Sequence, residues 1–293
     1  MQTVLRSEKK TVTINNEGAF VIIGEKINPT GRKKMAAALQ AGDMEYIKNL
    51  ALTQIAAGAE VLDVNVGVPG MDDVALMESV VKYLSQIVDV PLCLDSSNPA
   101  ALASGLAACP GKPLVNSVSG EEVRLSTVLP LVKDRGAAVI GLILDDSGVP
   151  ATAIARLAVA EKILERAVRL GIPQEDVIID PLVMAVGSDS SAGQITLETV
   201  RLVREKLGLN INLGASNVSF GMPDRPTINM AFMALTMGVG SSCAITDPSK
   251  MTAVIRATDL LLGRDEYGMR YIKAYRAAQA ILAAQAAAEQ KPE

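Results

Sequence analysis

The sequence predicts an α/β protein folded as a (β/α)8 TIM barrel, on three observations. Apolar, β-rich runs alternate strictly with amphipathic helical stretches; each kind occurs eight times; and five strand-length runs end in a carboxylate or a side-chain amide. Alternating units of this size build a parallel sheet, and eight of them close it into a barrel. A doubly wound open sheet is the alternative. It is disfavoured because no Gly-rich fingerprint follows the first strand, and because the polar endings are spread over several strands instead of gathering at one switch point.

In chain order, residues 1–18 read as an N-terminal arm, 19–265 as the barrel and 266–293 as an Ala-rich helical tail. Candidate strands fall at 19–24, 60–64, 91–95, 113–116, 138–144, 177–180, 211–214 and 241–245. Helices are expected near 43–58, 73–87, 98–108, 121–135, 151–170, 196–207, 226–238 and 248–262. Asp43 is placed to cap the first of these, Asn98-Pro99 opens another with proline at the first helical position, and Gly58, Gly136 and Gly171 lie just past helix ends. The tail ends in Gln-Lys-Pro-Glu and reads as an added helix that frays while covering the barrel or an interface.

With 49% hydrophobic and 20% charged residues in 293, the chain is globular, with room for one large core or two small ones. A net charge of −4 offers no field for a phosphate backbone, and no Trp, five Tyr and three Phe leave little for base stacking, so nucleic acid is excluded as a partner. No apolar run follows Arg6, Glu8, Lys9 and Lys10 as in a signal peptide, which makes the cytoplasm the default location. The uncharged stretch Pro226 to Thr246 is long enough to span a membrane, but Asn229, Gly238, Gly240, Ser241 and Ser242 divide it into a buried helix and a short strand. No membrane association is expected. Cys93, Cys109 and Cys243 lack metal-site or C-x-x-C spacing and read as reduced core residues. The chain has no histidine, which removes the usual metal ligand and proton shuttle and excludes hydrolytic triads and His-based zinc or heme sites. No protein-bound metal is expected, and any chemistry must use Asp, Glu, Asn, Ser, Lys or Arg.

The polar endings locate that chemistry. The runs are Val61-Leu62-Asp63-Val64-Asn65, Leu92-Cys93-Leu94-Asp95, Leu114-Val115-Asn116, Val177-Ile178-Ile179-Asp180 and Leu213-Gly214-Ala215-Ser216-Asn217. Burying such a group without a partner costs on the order of 1–3 kcal/mol. Asp63, Asn65, Asp95, Asn116, Asp180 and Asn217, joined by Glu25 and Asn28 from Gly24-Glu25-Lys26-Ile27-Asn28, are therefore expected at one barrel mouth. For any single one a capping role is as good a reading; for eight together it is not. Arg225 and Lys26 are the basic side chains expected nearby, too few for a phosphorylated substrate. Carboxylates beside amides suit a neutral heterocycle rich in N–H donors, whose guanidine-like edge one carboxylate can grip bidentately.

Six motifs stand in order, Ile-Gly-Glu-Lys-Ile-Asn, Leu-Asp-Val-Asn-Val-Gly, Leu-Asp-Ser-Ser, Val-Asn-Ser, Asp-Pro-Leu and Ser-Asn-Val-Ser, within a likeness that extends from about Val21 to about Leu262. In these the chain resembles the pterin-binding methyltransferases that use methyltetrahydrofolate and a corrinoid protein. That group includes the folate module of cobalamin-dependent methionine synthase and the methyltransferases of acetogenic and O-demethylating bacteria. The resemblance implies a dihydropteroate-synthase-like barrel, (methyl)tetrahydrofolate as substrate, and a corrinoid (cobalamin) carried on a separate partner protein. It also implies a homodimer. Asp95, Asn116 and Asp180 match the residues that hydrogen-bond the pterin ring, and Asn217 the mobile asparagine that approaches N5. Glu25, Asn28, Asp63 and Asn65 match further pocket residues, Ser216 and Arg225 the loop after the seventh strand, and Phe220 replaces the amide some members carry. Asn217, Asp63 and Asp95 are the expected catalytic residues: the amide donates to N5 while a carboxylate organises water around it. The corrinoid protein is expected over loops such as Val68 to Asp73 and Asp145 to Pro150. Dihydropteroate synthase is a weaker reading, because its late Arg-x-His element is absent and Asn28-Pro29-Thr30-Gly31-Arg32 does not reproduce its first loop. A non-catalytic folate-binding protein is the alternative from another class.

Overall fold

A computed structural model describes residues 1–289; the frayed end expected at 290–293 lies outside the described residues. Eight parallel strands form the barrel: β3 (Val21–Ile27), β4 (Val61–Asn65), β5 (Leu92–Asp95), β6 (Leu114–Ser119), β7 (Ala138–Leu142), β8 (Val177–Asp180), β9 (Asn210–Ile211) and β10 (Cys243–Thr246). They run in the order β10-β3-β4-β5-β6-β7-β8-β9. The ring is closed by Ser242 N–H on the Ile211 carbonyl and Ile245 N–H on the Leu213 carbonyl, both at 3.0 Å.

The helices are α1 (Lys33–Ala41), α2 (Met44–Ala56), α3 (Asp73–Ile87), α4 (Pro99–Ala108), α5 (Glu122–Arg135), α6 (Ala153–Leu170), α7 (Ala192–Leu207), α8 (Arg225–Val239), α9 (Pro248–Leu261) and α10 (Met269–Glu289). The expected caps form. Asp43 accepts from Tyr46 N–H, Asn98 accepts from Ala100 N–H ahead of Pro99, and Gly136 and Gly171 end α5 and α6 in the left-handed region. The uncharged stretch divides into α8 and β10, and among the described residues no helix is long and apolar enough to cross a membrane. All three cysteines are free and buried.

Several elements differ from expectation. The N-terminal arm is an antiparallel hairpin, β1 (Gln2–Arg6) with β2 (Thr11–Asn15). Leu5, Val12 and Ile14 alternate onto one face and pack on Val21, Ile23, Val61, Leu114 and Ile178, so the hairpin plugs the N-terminal end of the barrel. Gly111, at φ +75°, permits this: a Cβ there would lie 2.2 Å from the Arg6 carbonyl oxygen, which accepts Lys112 N–H at 2.8 Å. The helix α1 was not expected: the first helix was placed at 43–58, and α1 precedes it. The strand β9 has two residues instead of four, so Asn217 belongs to a 3-10 turn, Ala215–Ser219, and not to a strand end.

The two-residue period of the strands sorts the barrel interior by height. Its lower layers are apolar: Val21, Ile23, Val61, Cys93, Leu114, Ala138, Ile140, Ile178 and Cys243. The next inward positions along the same strands are Glu25, Asp63, Asp95, Asn116 and Asp180. The mouth is therefore polar by register, with an apolar floor beneath it.

Candidate active site at the barrel mouth

A cavity of about 380 Å³ opens at the C-terminal ends of the strands, lined by Glu25, Asn28, Thr30, Arg32, Asp63, Asp95, Asn116, Asp180, Gly214, Ser216, Asn217 and Ile245. Each aspartate lining the cavity is gripped by an amide. Asn116 Nδ2 donates to Asp63 Oδ1 at 3.1 Å, Asn65 Nδ2 to Asp95 Oδ2 at 2.9 Å, and Asn212 Nδ2 to Asp180 Oδ2 at 2.7 Å. Asp180 Oδ1 also accepts Leu182 N–H at 2.9 Å. An amide bonded to one carboxylate oxygen favours a single orientation of that group.

Burial shifts these acids upward. It pushes Asp180 to about 6, against the hydrogen bonds from Leu182 and Asn212. For Asp63, burial first and then the charge of Asp95 raise the carboxyl well above the usual range, while Asn116 opposes the shift. Asp95 is raised by burial and lowered by Asn65. The two carboxyls stand on neighbouring strands, and each resists ionisation. Glu25 is raised by burial, against the Arg32 guanidinium.

Asn217 differs from the amides of the floor. It is exposed, and among the described residues no side-chain hydrogen bond fixes its amide. Gly214 leaves it room, since a Cβ there would meet Asn217 Nδ2 at 3.2 Å. The turn beneath it is held firmly. Arg225 Nη2 donates to the Ser216 carbonyl at 2.8 Å and Arg225 Nε to Ser219 Oγ at 3.1 Å, and the guanidinium lies over the Phe220 ring at 5.7 Å.

Of the expected residues, Glu25, Asn28, Asp63, Asp95, Asn116, Asp180, Ser216 and Asn217 meet in the cavity. Asn65, Phe220 and Arg225 do not line it: Asn65 stands behind Asp95, Arg225 braces the turn, and Phe220 is 69% exposed. Lys26 is paired with Asp247 at 3.0 Å, so the basic side chain at the mouth is Arg32, which sequence reasoning passed over as a loop residue. Asn212 was also missed. Its signal was an amide at an inward position of an apolar run.

The fold and this cavity define a barrel protein whose polar mouth gathers three amide-held carboxyls above an apolar floor. Comparison with known proteins narrows the class. The family model described as "Pterin binding enzyme" matches residues 24–247. The chain is 33% identical over 265 residues to a methylcorrinoid:tetrahydrofolate methyltransferase of Eubacterium limosum, covering 88% of this chain and 96% of that protein. It is 30% identical over 253 residues to the methionine synthase of Mycobacterium tuberculosis, covering 82% of this chain and about a fifth (21%) of the synthase. Among solved structures, dihydropteroate synthase of Yersinia pestis aligns at TM-score 0.69 and 16% identity, over 90% of this chain and all (100%) of that one. The Xanthomonas albilineans enzyme with indole-2-carboxylic acid and 6-chloroguanine aligns at 0.69 and 18%, over 89% and 98%. At such identities these structures bear out the barrel alone. The chain belongs to the pterin-binding enzyme family.

Proposed function

We propose that the protein moves a methyl group between N5 of tetrahydrofolate and the cobalt of a corrinoid carried by a separate protein, in one-carbon metabolism such as O-demethylation. The observation that carries this reading is the ring of three amide-held aspartates around one cavity, in a chain similar over nearly its whole length to a methylcorrinoid:tetrahydrofolate methyltransferase. The pterin's guanidine-like edge lies on Asp95, Asn116 and Asp180, whose oxygens accept its N–H groups. N5 then faces the side of Asn217. A tertiary amine leaves poorly: as the methyl departs, the electron pair of the C–N bond stays on N5, so the amide of Asn217 donates to N5 as that charge develops, and a proton delivered through water organised by Asp63 completes the secondary amine. The corrinoid supplies a strongly nucleophilic reduced cobalt or its methylated form. The chain's own contribution is to hold the folate in line with it and to exclude competing water.

The test is to mix the protein with 5-methyltetrahydrofolate and photoreduced cob(I)alamin and follow the visible spectrum. The methyl-cobalt band is expected to grow at a rate proportional to protein. Folate binding without turnover would instead support the carrier reading. A second copy of the chain is the proposed cover for the apolar side chains Leu261, Tyr267 and Met269, which are 86%, 87% and 65% exposed where α9 passes into α10. Sedimentation velocity is expected to give twice the chain mass, and a monomer at micromolar concentration would remove that assignment.

A further inference from the structure

Charge is distributed unevenly around the cavity. Asp63, Asp95 and Asp180 line it, and Arg32 is the one basic side chain among its described lining residues. Arg32 opens α1, and Lys33 and Lys34 follow it with no acid in the helix's first turn. Both lysines are exposed, and neither has an ion-pair partner among the described residues. Arg32 itself spends two contacts on Glu25, from Nη2 to Oε1 at 3.2 Å and from Nη1 to the backbone carbonyl at 3.4 Å. A guanidinium has five N–H donors, so most remain for a ligand. Lys26, by contrast, is occupied by Asp247 and Ser249.

Strand order indicates which end of a pterin reaches this cluster. Around the ring, β10 stands across from β6, β3 across from β7 and β9 across from β5. Asp95 and Asn116 lie on β5 and β6; Asn217 follows β9; and Glu25, on β3, accepts from Ser216 Oγ at 3.4 Å. In a reduced pterin the 2-amino group and N3 occupy one end of the bicycle. N5 and the adjoining C6, which bears the folate tail, occupy the other. A ring whose amino edge is seated on Asp95, Asn116 and Asp180, on β5, β6 and β8, therefore points N5 and C6 toward β10 and β3, and its tail leaves over Asn28 to Arg32.

We propose that Arg32, with Lys33 and Lys34, forms a subsite for the carboxylates of the substrate's p-aminobenzoylglutamate tail and gives the enzyme a preference for polyglutamylated folates. The proposal rests on the methyl-transfer reading and adds the recognition of the substrate's unreactive end. Arg32 meets the first carboxylate, where its planar fork can bind both oxygens. The lysines meet later ones, through salt-sensitive contacts in solvent.

The experiment compares three methyl donors: 5-methyltetrahydrofolate, its triglutamate, and a 5-methyltetrahydropterin without a tail. Arg32→Ala is expected to raise KM about tenfold for the tail-bearing donors and less than about twofold for the tailless one, the difference expected for one charge-assisted contact. Arg32→Lys is expected to recover part of that loss. Lys33→Ala/Lys34→Ala is expected to remove most of the triglutamate's KM advantage over the monoglutamate at low salt. Equal KM changes for tailed and tailless donors would overturn the proposal, because Arg32 would then act through Glu25. A triglutamate preference untouched by the lysine changes would overturn the lysines' part. If the wild-type protein turns over no donor, the methyl-transfer reading fails by itself. Calorimetric affinities for tetrahydropteroyl-triglutamate and tetrahydropterin in the same variants then decide the subsite separately.

Discussion

Asn217→Ala is expected to slow methyl transfer about a hundredfold while changing tetrahydrofolate affinity less than about threefold, because one donor aimed at developing charge is worth on the order of 3 kcal/mol in the transition state. The ground state gains little from this amide, since N5 bearing a methyl group is a weak acceptor until that methyl begins to leave. Folding does not depend on it either. The side chain is exposed and unpaired among the described residues, while Arg225 fixes the turn through the Ser216 carbonyl at 2.8 Å. Single-turnover formation of the methyl-cobalt band, read beside calorimetric folate binding, separates the two effects. A variant that loses binding and rate by the same factor would make Asn217 a plain pterin ligand.

Asp180→Asn is expected to weaken pterin binding about thirtyfold or more at neutral pH, because a charged acceptor in a buried site is replaced by an amide that turns donors toward donors. Its pH dependence carries a definite sign. Burial raises Asp180 from 3.8 to about 6, so the empty folded protein holds this proton more tightly than the unfolded chain does. The group's favourable contribution is complete below pH about 4 and declines by roughly 3 kcal/mol as pH rises to about 6. Asp63 and Asp95, also raised, act in the same direction. Ligand binding runs the opposite way, since N–H donors need the ionised carboxylate. Between pH 7 and 5 the empty wild-type protein should therefore become more resistant to heat while its pterin affinity falls, steepening toward about tenfold per unit below pH about 6. Thermal melts and calorimetry across that range check both. An affinity independent of pH would mean that Asp180 does not meet the ligand.

The polar mouth was legible in the sequence for a physical reason. In Val61-Leu62-Asp63-Val64-Asn65 the two-residue period fixes which side chains face inward, so an aspartate breaking an apolar run marks both the strand and the height of the site. The same rule failed where one residue type serves two heights. Asn210 and Asn212 are two apart on one run. Asn210 Nδ2 donates to Thr3 Oγ1 at 2.9 Å at the floor, whereas Asn212 holds Asp180 at the mouth. Arg32 escaped notice because its place depends on the return of α1, which is set by burial of Met35, Ala38 and Leu39 and not by any local signal at residues 28–32. Arg225 was expected beside the ligand because it matches the family's loop after the seventh strand, but its guanidinium is spent on the turn carrying Asn217. The hairpin was missed because the period in Thr11-Val12-Thr13-Ile14 is only two apolar residues long and sits beside the charged Glu8, Lys9 and Lys10.

A crystal structure with tetrahydrofolate bound tests most directly whether the barrel mouth seats a pterin. The 2-amino and N3 edge is expected within about 3 Å of the Asp95, Asn116 and Asp180 side chains, with N5 facing Asn217 and the tail crossing Asn28 to Arg32. A pterin turned with its amino group toward Asn217, or seated instead in the cavity of about 340 Å³ between Asp145 to Pro150 and α6, would contradict that placement.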